Sequence, residues 1–195
     1  MSYALAQRWR PLAFGLAAAL LCAGPSFGQA LTEKLQLCGA CHGEDGNSKI
    51  ADIPSLAGQP KFFILNQLFL MREGVRKVEA MAAVVKDLKD GDLDALSDHY
   101  AKLAPKPSGE AIDPAMVKRG AELAESKRCG SCHGQTLGGQ EQIPRVAKQR
   151  VDYLILALKA FRDGTRTGAD TIMGGPVAGL SDADLTALAH FAAGR

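Results

Sequence analysis

Apolar residues recur at helical spacing in two long stretches of the chain, residues 61–72 and 151–162. In each stretch they cover one broad face, and a glycine follows shortly afterwards, Gly74 in the first and Gly164 in the second. Glycine is favoured just beyond the last turn of a helix, so both stretches are predicted to be helices that stop there. No window alternates apolar and polar residues at the period of two that a strand requires. The pattern therefore predicts an all-α fold.

A capping pattern marks the start of a closing helix near the end of the chain. Ser181 is followed three residues later by Asp184, the spacing at which two side chains cap each other's backbone at a helix start. The apolar residues that follow share one helical face: Leu185, Leu188 and Phe191. We expect residues 92–103 to form the counterpart of this helix in the first half of the chain.

The chain contains two copies of one pattern. Cys-x-x-Cys-His occurs at residues 38–42 and again at 129–133. The residues that follow keep step at a spacing of 90 to 92: Pro54 with Pro144, Gln59 with Gln149, Phe63 with Tyr153, Leu68 with Leu158, Gly74 with Gly164, Arg76 with Arg166 and Met81 with Met173. Two copies of so long a period are too few for a solenoid, so we predict two sibling domains.

A polar stretch rich in proline and glycine, residues 104–113, separates the two copies. At its end, Asp113 and Pro114 suit the cap and the first position of a helix that runs towards Cys129. The stretch therefore reads as a linker. The predicted units are a first domain at residues 29–104, a linker at 105–113 and a second domain at 114–195.

The first residues have the order of a secretory signal peptide. Arginines precede an apolar run at residues 12–23, and small residues follow it. We expect this leader, residues 1–28, to be cleaved near Gly28 and the protein to be exported to the periplasm. Lipid attachment at Cys22 and retention of the leader as an anchor are the alternatives, and either would hold the protein at the membrane surface.

Composition and charge narrow the class of protein. The 195 residues are 47% hydrophobic and 23% charged, which is typical of a globular chain and not of a disordered one. A formal net charge of +2 is too weak for a nucleic-acid footprint, so no nucleic-acid partner is expected. Five cysteines are too few for a fold of this length to be held together mainly by disulfides. The spacing of the cysteines, and not their number, therefore indicates their role.

The repeated motif has the spacing of a covalent haem site. Two cysteines three positions apart on one turn can form thioethers with the two vinyl groups of a haem, and the next histidine then lies beneath the iron. The predicted attachment residues are Cys38, Cys41, Cys129 and Cys132, and the predicted proximal ligands are His42 and His133. Two covalently attached haem c groups are therefore the predicted cofactors.

Three other interpretations of the cysteine pairs are weaker. A zinc site requires two more ligands in each half, but neither half has another cysteine, and His99 and His190 are the only other histidines. A thioredoxin-like redox pair is expected beside a βαβ pattern, which is absent. Structural disulfides between the cysteines of each pair would leave the repeated histidine unexplained.

The repeat also suggests a second axial ligand for each iron. Met81 and Met173 are the only methionines at equivalent positions, each in a loop-like segment. Thioether sulfur is a soft ligand that favours Fe(II) and raises the reduction potential. The alternative is that both methionines fill the core. The remaining candidates are interpreted as packing or surface groups: Met71, Met116, His99 and His190.

Further residues are expected to support the haem. A ligating imidazole usually donates its other N–H to a carbonyl, and Pro54 and Pro144 are the expected acceptors. Arg76 and Arg166 are candidates for pairing with propionates, with solvated loop charge as the alternative. The apolar residues expected to pack on the haem are Phe62, Leu65, Leu68, Leu154, Leu158 and Phe161. Because so small a half buries a modest core, we expect the haem-free chain to be poorly folded.

Several motifs resemble those of the dihaem cytochrome c4 family. In the first half they are Cys-His-Gly-Glu-Asp-Gly-Asn-Ser at 41–48, Pro-Ser-Leu-Ala-Gly-Gln at 54–59 and Gln-Leu-x-x-x-Arg-x-Gly-x-Arg at 67–76. In the second half they are Pro-Arg-Val-Ala-Lys-Gln at 144–149, Phe-Arg-Asp-Gly-Thr-Arg at 161–166, Met173 and Leu-Ser-Asp-Ala-Asp-Leu at 180–185. The resemblance covers nearly all of residues 31–193, with departures at Lys148 and at residues 89–91.

The resemblance implies two tandem class I cytochrome c domains whose propionate edges face each other. It implies His/Met ligation of both irons, and by position the axial pairs would be His42 with Met81 and His133 with Met173. It also implies electron transfer in the periplasm, often towards a terminal oxidase such as a haem–copper oxidase.

The predicted function is transfer of single electrons between a protein donor and a protein acceptor. The chain is not expected to be an enzyme, because two irons with saturated coordination leave no open position for a substrate. One alternative is a dihaem oxidase or peroxidase with one labile iron. The other is a dedicated cytochrome subunit of a dehydrogenase, for example one that oxidises sulfide or thiosulfate.

Overall fold

The computed structural model describes residues 27–166, 168 and 171–195, so that nearly all of the predicted leader, residues 1–28, lies outside the described residues. Within the described part, every regular element is a helix, and the only β-type pairing is an isolated bridge between Gln140 and Ile143. The predicted all-α class is confirmed. None of the described helices is long and apolar enough to cross a membrane.

The helices fall into two series along the chain. The first series consists of α1 (Phe27–His42), α2 (Lys61–Arg72), α3 (Glu79–Val85) and α4 (Asp90–Ala101). The second consists of α5 (Pro114–Ser126), α6 (Gly130–His133), α7 (Val151–Arg162), α8 (Gly174–Val177) and α9 (Asp182–Ala193), with a 3-10 turn at Thr171–Met173 before α8. The sequence did not predict α1, α3, α6 or α8.

The two helices predicted from periodicity are present with the predicted bounds, as α2 and α7. Both end at glycines in the left-handed conformation, with φ of +69° at Gly74 and +66° at Gly164. At the first, Gly74 N–H donates to the Met71 carbonyl at 3.1 Å, which satisfies one carbonyl at the end of α2. The predicted cap of α9 is also confirmed, because Ser181 Oγ accepts from Asp184 N–H at 3.2 Å.

Two predictions about local structure are wrong. The closing helix of the first half was expected at residues 92–103, but α4 starts two residues earlier, at Asp90. The reason is that the Asp92 carboxylate accepts from Lys89 N–H at 2.9 Å, which makes Lys89 the cap and Asp92 the third helical residue. Met81 was expected in a loop-like segment, but it lies in α3.

Close helix crossings position the motif-bearing segments. In the second half α5 packs along α9, and a Cβ atom built on Gly120 would lie 2.1 Å from the Ala187 carbonyl oxygen and 2.6 Å from Phe191 Cβ. Only glycine permits this approach. In the first half α1 contacts α4, and α2 packs on both α3 and α4. The buried apolar core of the second half is formed by Leu137, Ala147, Val151, Leu154, Ala189, Ala192 and Ala193.

The segment between α4 and α5 is bound to residues on both sides of it. Lys106 N–H donates to the Asn47 side-chain oxygen at 2.8 Å, close behind the first Cys-His motif. The Glu110 carboxylate accepts from Val151 N–H at 2.8 Å, at the start of α7. At the end of the segment, the Asp113 side chain accepts from Ala115 N–H at 2.8 Å, as expected for the cap of α5.

Candidate functional site

Both Cys-x-x-Cys-His motifs lie on helical backbone. The first occupies the last turn of α1, and the second begins at Cys129, which caps the short helix α6. Helical backbone brings residues three positions apart onto one side, which is the placement that a double thioether attachment needs. None of the four cysteines of the described chain is paired in a disulfide. The first cysteine of each motif is half-buried, namely Cys38 and Cys129. The second is exposed, namely Cys41 and Cys132.

The environment of the thiols differs from that of a redox-active cysteine pair. Burial raises the pKa of the Cys38 thiol, although a hydrogen bond with the Tyr100 side chain opposes the shift. Burial likewise raises the pKa of Cys129. Reactive cysteines of the thioredoxin type have a lowered pKa, because nearby positive charge stabilises the thiolate. The thioredoxin-like interpretation is therefore disfavoured at both motifs.

Each motif histidine is buried and held by a proline carbonyl. His42 is 7% exposed and His133 is 6% exposed. The predicted acceptors are confirmed, because Nδ1 of His42 lies 2.8 Å from the Pro54 carbonyl oxygen and Nδ1 of His133 lies 2.9 Å from that of Pro144. Donation from Nδ1 fixes the tautomer and leaves Nε2 with a lone pair for a metal.

Burial also favours the neutral form of both imidazoles. It lowers the pKa of His42 and His133, and this effect outweighs the opposing hydrogen bond to each proline carbonyl. Neutral imidazole is the form that binds iron, so the donor set fits an axial haem ligand in both halves. Among the described residues, no group of three or more His, Cys, Asp or Glu side chains could hold a metal ion on its own.

Matching loops present the two proline carbonyls. The Gly46 carbonyl accepts from Leu56 and Ala57 N–H groups, and the Leu137 carbonyl accepts from the equivalent Val146 and Ala147. Each loop ends in the left-handed conformation, with φ of +64° at Gly58 and +53° at Lys148. The departure from the family pattern at Lys148 therefore preserves the local backbone conformation.

Three arginines lie where the halves meet. Burial alone would raise the pKa of Tyr153, but the charges and hydrogen bonds of Arg166 and Arg76 lower it, which places one arginine from each half at the same phenol. The Arg145 guanidinium donates to the carbonyls of Ala57 and Ala147, and it is only 4% exposed. None of the ion pairs between described residues includes Arg145, and burial lowers its pKa to about 10. Such a cluster is suited to anionic groups.

The remaining sulfur and imidazole candidates differ in their surroundings. Met81 and Met173 are both half-buried. His99 makes an edge-on contact with the Tyr100 ring at 5.2 Å between centroids. His190 Nδ1 accepts a hydrogen bond from Asp113 N–H at 3.3 Å. Both of these histidines therefore support packing around the ends of helices.

Comparison with known proteins places these features in a class. The Cytochrome c family profile matches residues 117–193. The helical fold, the repeated Cys-x-x-Cys-His motif and the carbonyl-bound histidines define a c-type cytochrome with two haem-binding halves.

The relatives narrow that class to a family. The chain is 34% identical to a cytochrome c4 of Pseudomonas aeruginosa over 83% of its own length and 85% of the relative's. It is 33% identical to a thiosulfate dehydrogenase electron acceptor of Thiomonas intermedia over 82% of this chain and 78% of that one. The crystal structure of reduced cytochrome c4 from Pseudomonas stutzeri superimposes with a TM-score of 0.78 at 31% identity, covering 87% of this chain and 99% of that one. The chain belongs to the cytochrome c4 family.

Membership confirms the predicted fold of two class I cytochrome c domains, the covalently bound haem c and the function of a dihaem electron carrier. Each haem supplies an iron that accepts and releases one electron.

The sequence also contained interface residues to which we assigned no role, namely Gln59, Gln149 and Tyr153, although the repeat spacing had already paired the two glutamines.

Proposed function

We propose that the protein relays single electrons between two protein partners through haems held by its two halves. In the first half, Cys38 and Cys41 would attach one haem through thioethers, and His42 and Met81 would ligate its iron. In the second half, Cys129 and Cys132 would attach the other haem, and His133 and Met173 would ligate its iron. The observation that supports this most strongly is the repeated bond from a buried histidine Nδ1 to a proline carbonyl.

The chain itself supplies the conditions for fast and selective electron transfer. The proline carbonyls orient the imidazoles and increase their basicity. Burial of both histidines keeps water away from the imidazoles that would hold the iron. Arg76 and Arg166 meet at Tyr153, and we assign them to the propionates of the two haems, since a guanidinium suits a carboxylate. The haem-bearing domains are residues 29–104 and 114–195, joined by the linker at 105–113.

The protein has no catalytic role in this proposal. With a histidine and a methionine on each iron, no coordination position is open to a substrate, so a dihaem oxidase or peroxidase activity is not expected. The relatives are electron carriers, which supports the same conclusion.

The protein acts in the periplasm. The leader, residues 1–28, directs its export and is cleaved near Gly28. The order of charged, apolar and small residues in this segment supports the assignment. A terminal oxidase of the haem–copper type is the acceptor that this family assignment favours.

A second candidate partner is a dehydrogenase that oxidises a sulfur compound. The observation that favours it is the relative from Thiomonas intermedia, which is described as a thiosulfate dehydrogenase electron acceptor. Purification of the tagged protein from a periplasmic extract distinguishes the two roles. A catalytic subunit that copurifies at equal stoichiometry would establish a dedicated subunit, and recovery of the cytochrome alone would support a free carrier.

Binding of carbon monoxide tests the saturated coordination. The fully reduced protein is titrated with carbon monoxide at neutral pH, and its visible absorption spectrum is recorded. We expect no stoichiometric change, because the methionine of each half occupies the position that the gas would take. Binding of one equivalent to the folded protein would contradict the proposal and favour an enzyme with one open iron.

A further inference from the structure

Two glutamines cross between the halves of the molecule and bind backbone in a reciprocal way. Gln149, in the second half, accepts from Ser55 N–H at 2.8 Å and donates to the Ser55 carbonyl at 2.9 Å. Gln59, in the first half, accepts from Arg145 N–H at 3.0 Å and donates to the Arg145 carbonyl at 2.9 Å. Each side-chain amide therefore saturates both backbone groups of one residue in the opposite half.

The residues that receive these bonds directly follow the prolines that bind the histidines. The Ser55 N–H and the Pro54 carbonyl belong to one peptide group, and so do the Arg145 N–H and the Pro144 carbonyl. That peptide accepts from His42 Nδ1 on its oxygen and donates to Gln149 on its nitrogen. A continuous hydrogen-bonded chain thus runs from each histidine through one peptide to a glutamine of the other half.

The residues that form this series of hydrogen bonds are buried, and burial strengthens the bonds. Ser55 is 1% exposed, Gln149 is 2% exposed and Gln59 is 4% exposed. In such surroundings hydrogen bonds polarise one another, by about 10–30% per bond. An N–H that donates to a glutamine oxygen makes the carbonyl of the same peptide a stronger acceptor. The histidine then donates more strongly from Nδ1 and becomes a more electron-rich ligand through Nε2.

We propose that Gln59 and Gln149 are positioning residues, and that each of them tunes the reduction potential of the haem in the opposite half. Gln149 acts on the haem ligated by His42, and Gln59 acts on the haem ligated by His133. This inference rests on the proposed function, because it takes both histidines as iron ligands. The consequence is that the affinity of each haem for an electron depends on an intact contact with the opposite half.

The sign of the effect follows from the ligand. An electron-rich imidazole stabilises Fe(III) more than Fe(II), so each glutamine lowers the reduction potential of the haem across the interface. Methionine in place of glutamine keeps a similar volume but removes both bonds to the opposite half. At Gln149 it also removes the bond that the side-chain oxygen accepts from Arg150 N–H at 3.0 Å. The potential of the opposite haem should then rise.

The test is a redox titration of the holoprotein and its variants Gln149→Met and Gln59→Met. NMR signals of the histidine and methionine ligands report each haem separately. For Gln149→Met we expect the reduction equilibrium constant of the haem on His42 to rise several-fold but less than tenfold, that is, by less than about 59 mV for one electron. The haem on His133 should change less. For Gln59→Met the potential of the haem on His133 should rise, and the potential of the haem on His42 should change less.

Two controls separate tuning from loss of packing. Gln149→Glu retains an acceptor oxygen for Ser55 N–H, and we expect no rise in the potential of the haem on His42. Gln142→Met changes an exposed glutamine of the same half, and neither potential should shift. A thermal unfolding curve for each variant records stability independently of the potentials.

The contradicting outcomes are specific. A shift confined to the haem of the substituted half, equal shifts of both haems, or no shift in either glutamine variant would overturn the crosswise inference. These results are interpretable when the unsubstituted protein shows two histidine-ligated haems. If it does not, the ligand assignment under the proposed function fails instead.

Discussion

At the scale of single residues, the proline carbonyls that bind the histidines were predictable from the sequence. The glutamines that bind the residues after those prolines were not. Pro54 and Pro144 follow their histidines by 12 and 11 residues, so a local loop is enough to bring each carbonyl to Nδ1. The glutamines that bind the next residue are about 90 positions away. Sequence periodicity pairs Gln59 with Gln149 but does not reveal which surfaces of the two halves meet.

The methionine assignment leads to a prediction at this scale. Replacing Met81 with alanine should remove about half of the weak far-red band of sulfur-to-iron charge transfer and lower the potential of one haem, because a soft sulfur ligand is lost. Met173→Ala should remove the other half. Absorption spectra of the oxidised variants measure both effects.

The matched control for these variants is Met116→Ala, which changes a half-buried methionine on α5 that has no counterpart in the repeat. We expect it to leave the far-red band unchanged. A full band in Met81→Ala would show that the sulfur ligand of the first half has been assigned to the wrong residue. A reduced band in Met116→Ala would show the same for the second half.

At the scale of elements, helices with strong local signals were predicted well. The helices α2 and α7 combine a broad apolar face with a stop glycine, and α9 has a reciprocal cap at Ser181. The helix α3 has only seven residues, and no side chain caps it at Val78, so nothing in the sequence marks its start. For that reason the environment of Met81 was predicted wrongly although its repeat register was recognised.

The crossing of α5 and α9 leads to a prediction for Gly120. Alanine at this position places a Cβ 2.1 Å from the Ala187 carbonyl oxygen, so the helices must separate. Overpacking of this kind costs typically about 1–3 kcal/mol of unfolding free energy. Chemical denaturation of the holoprotein, followed by far-UV circular dichroism, measures the loss.

Gly91 provides a control of the same chemistry. It lies in the first turn of α4, and a Cβ built there meets no atom within 4 Å. Alanine favours helix over glycine by up to about 1 kcal/mol, so Gly91→Ala should match or exceed the stability of the unsubstituted protein. Equal stability of the Gly120 and Gly91 variants would show that the α5–α9 contact is not tightly packed.

At the scale of the whole molecule, the duplication predicted the class and the number of haem sites. What it could not predict is how the halves are joined, because contacts between domains depend on surface complementarity and not on periodicity. Tyr153 meets an arginine from each half, and Arg145 donates to a carbonyl on both sides. Each half therefore completes the surroundings of the other, which gives a physical basis for communication between two electron-transfer sites.

The central claim is that a haem is covalently attached to each Cys-x-x-Cys-His motif, and the mass of the intact, denatured holoprotein tests it most directly. We predict the mass of a chain that begins near Gly28 plus two haem groups. The variant with Cys129→Ala and Cys132→Ala together should retain one haem. A mass equal to that of the polypeptide alone, with the pigment released on denaturation, would contradict the account.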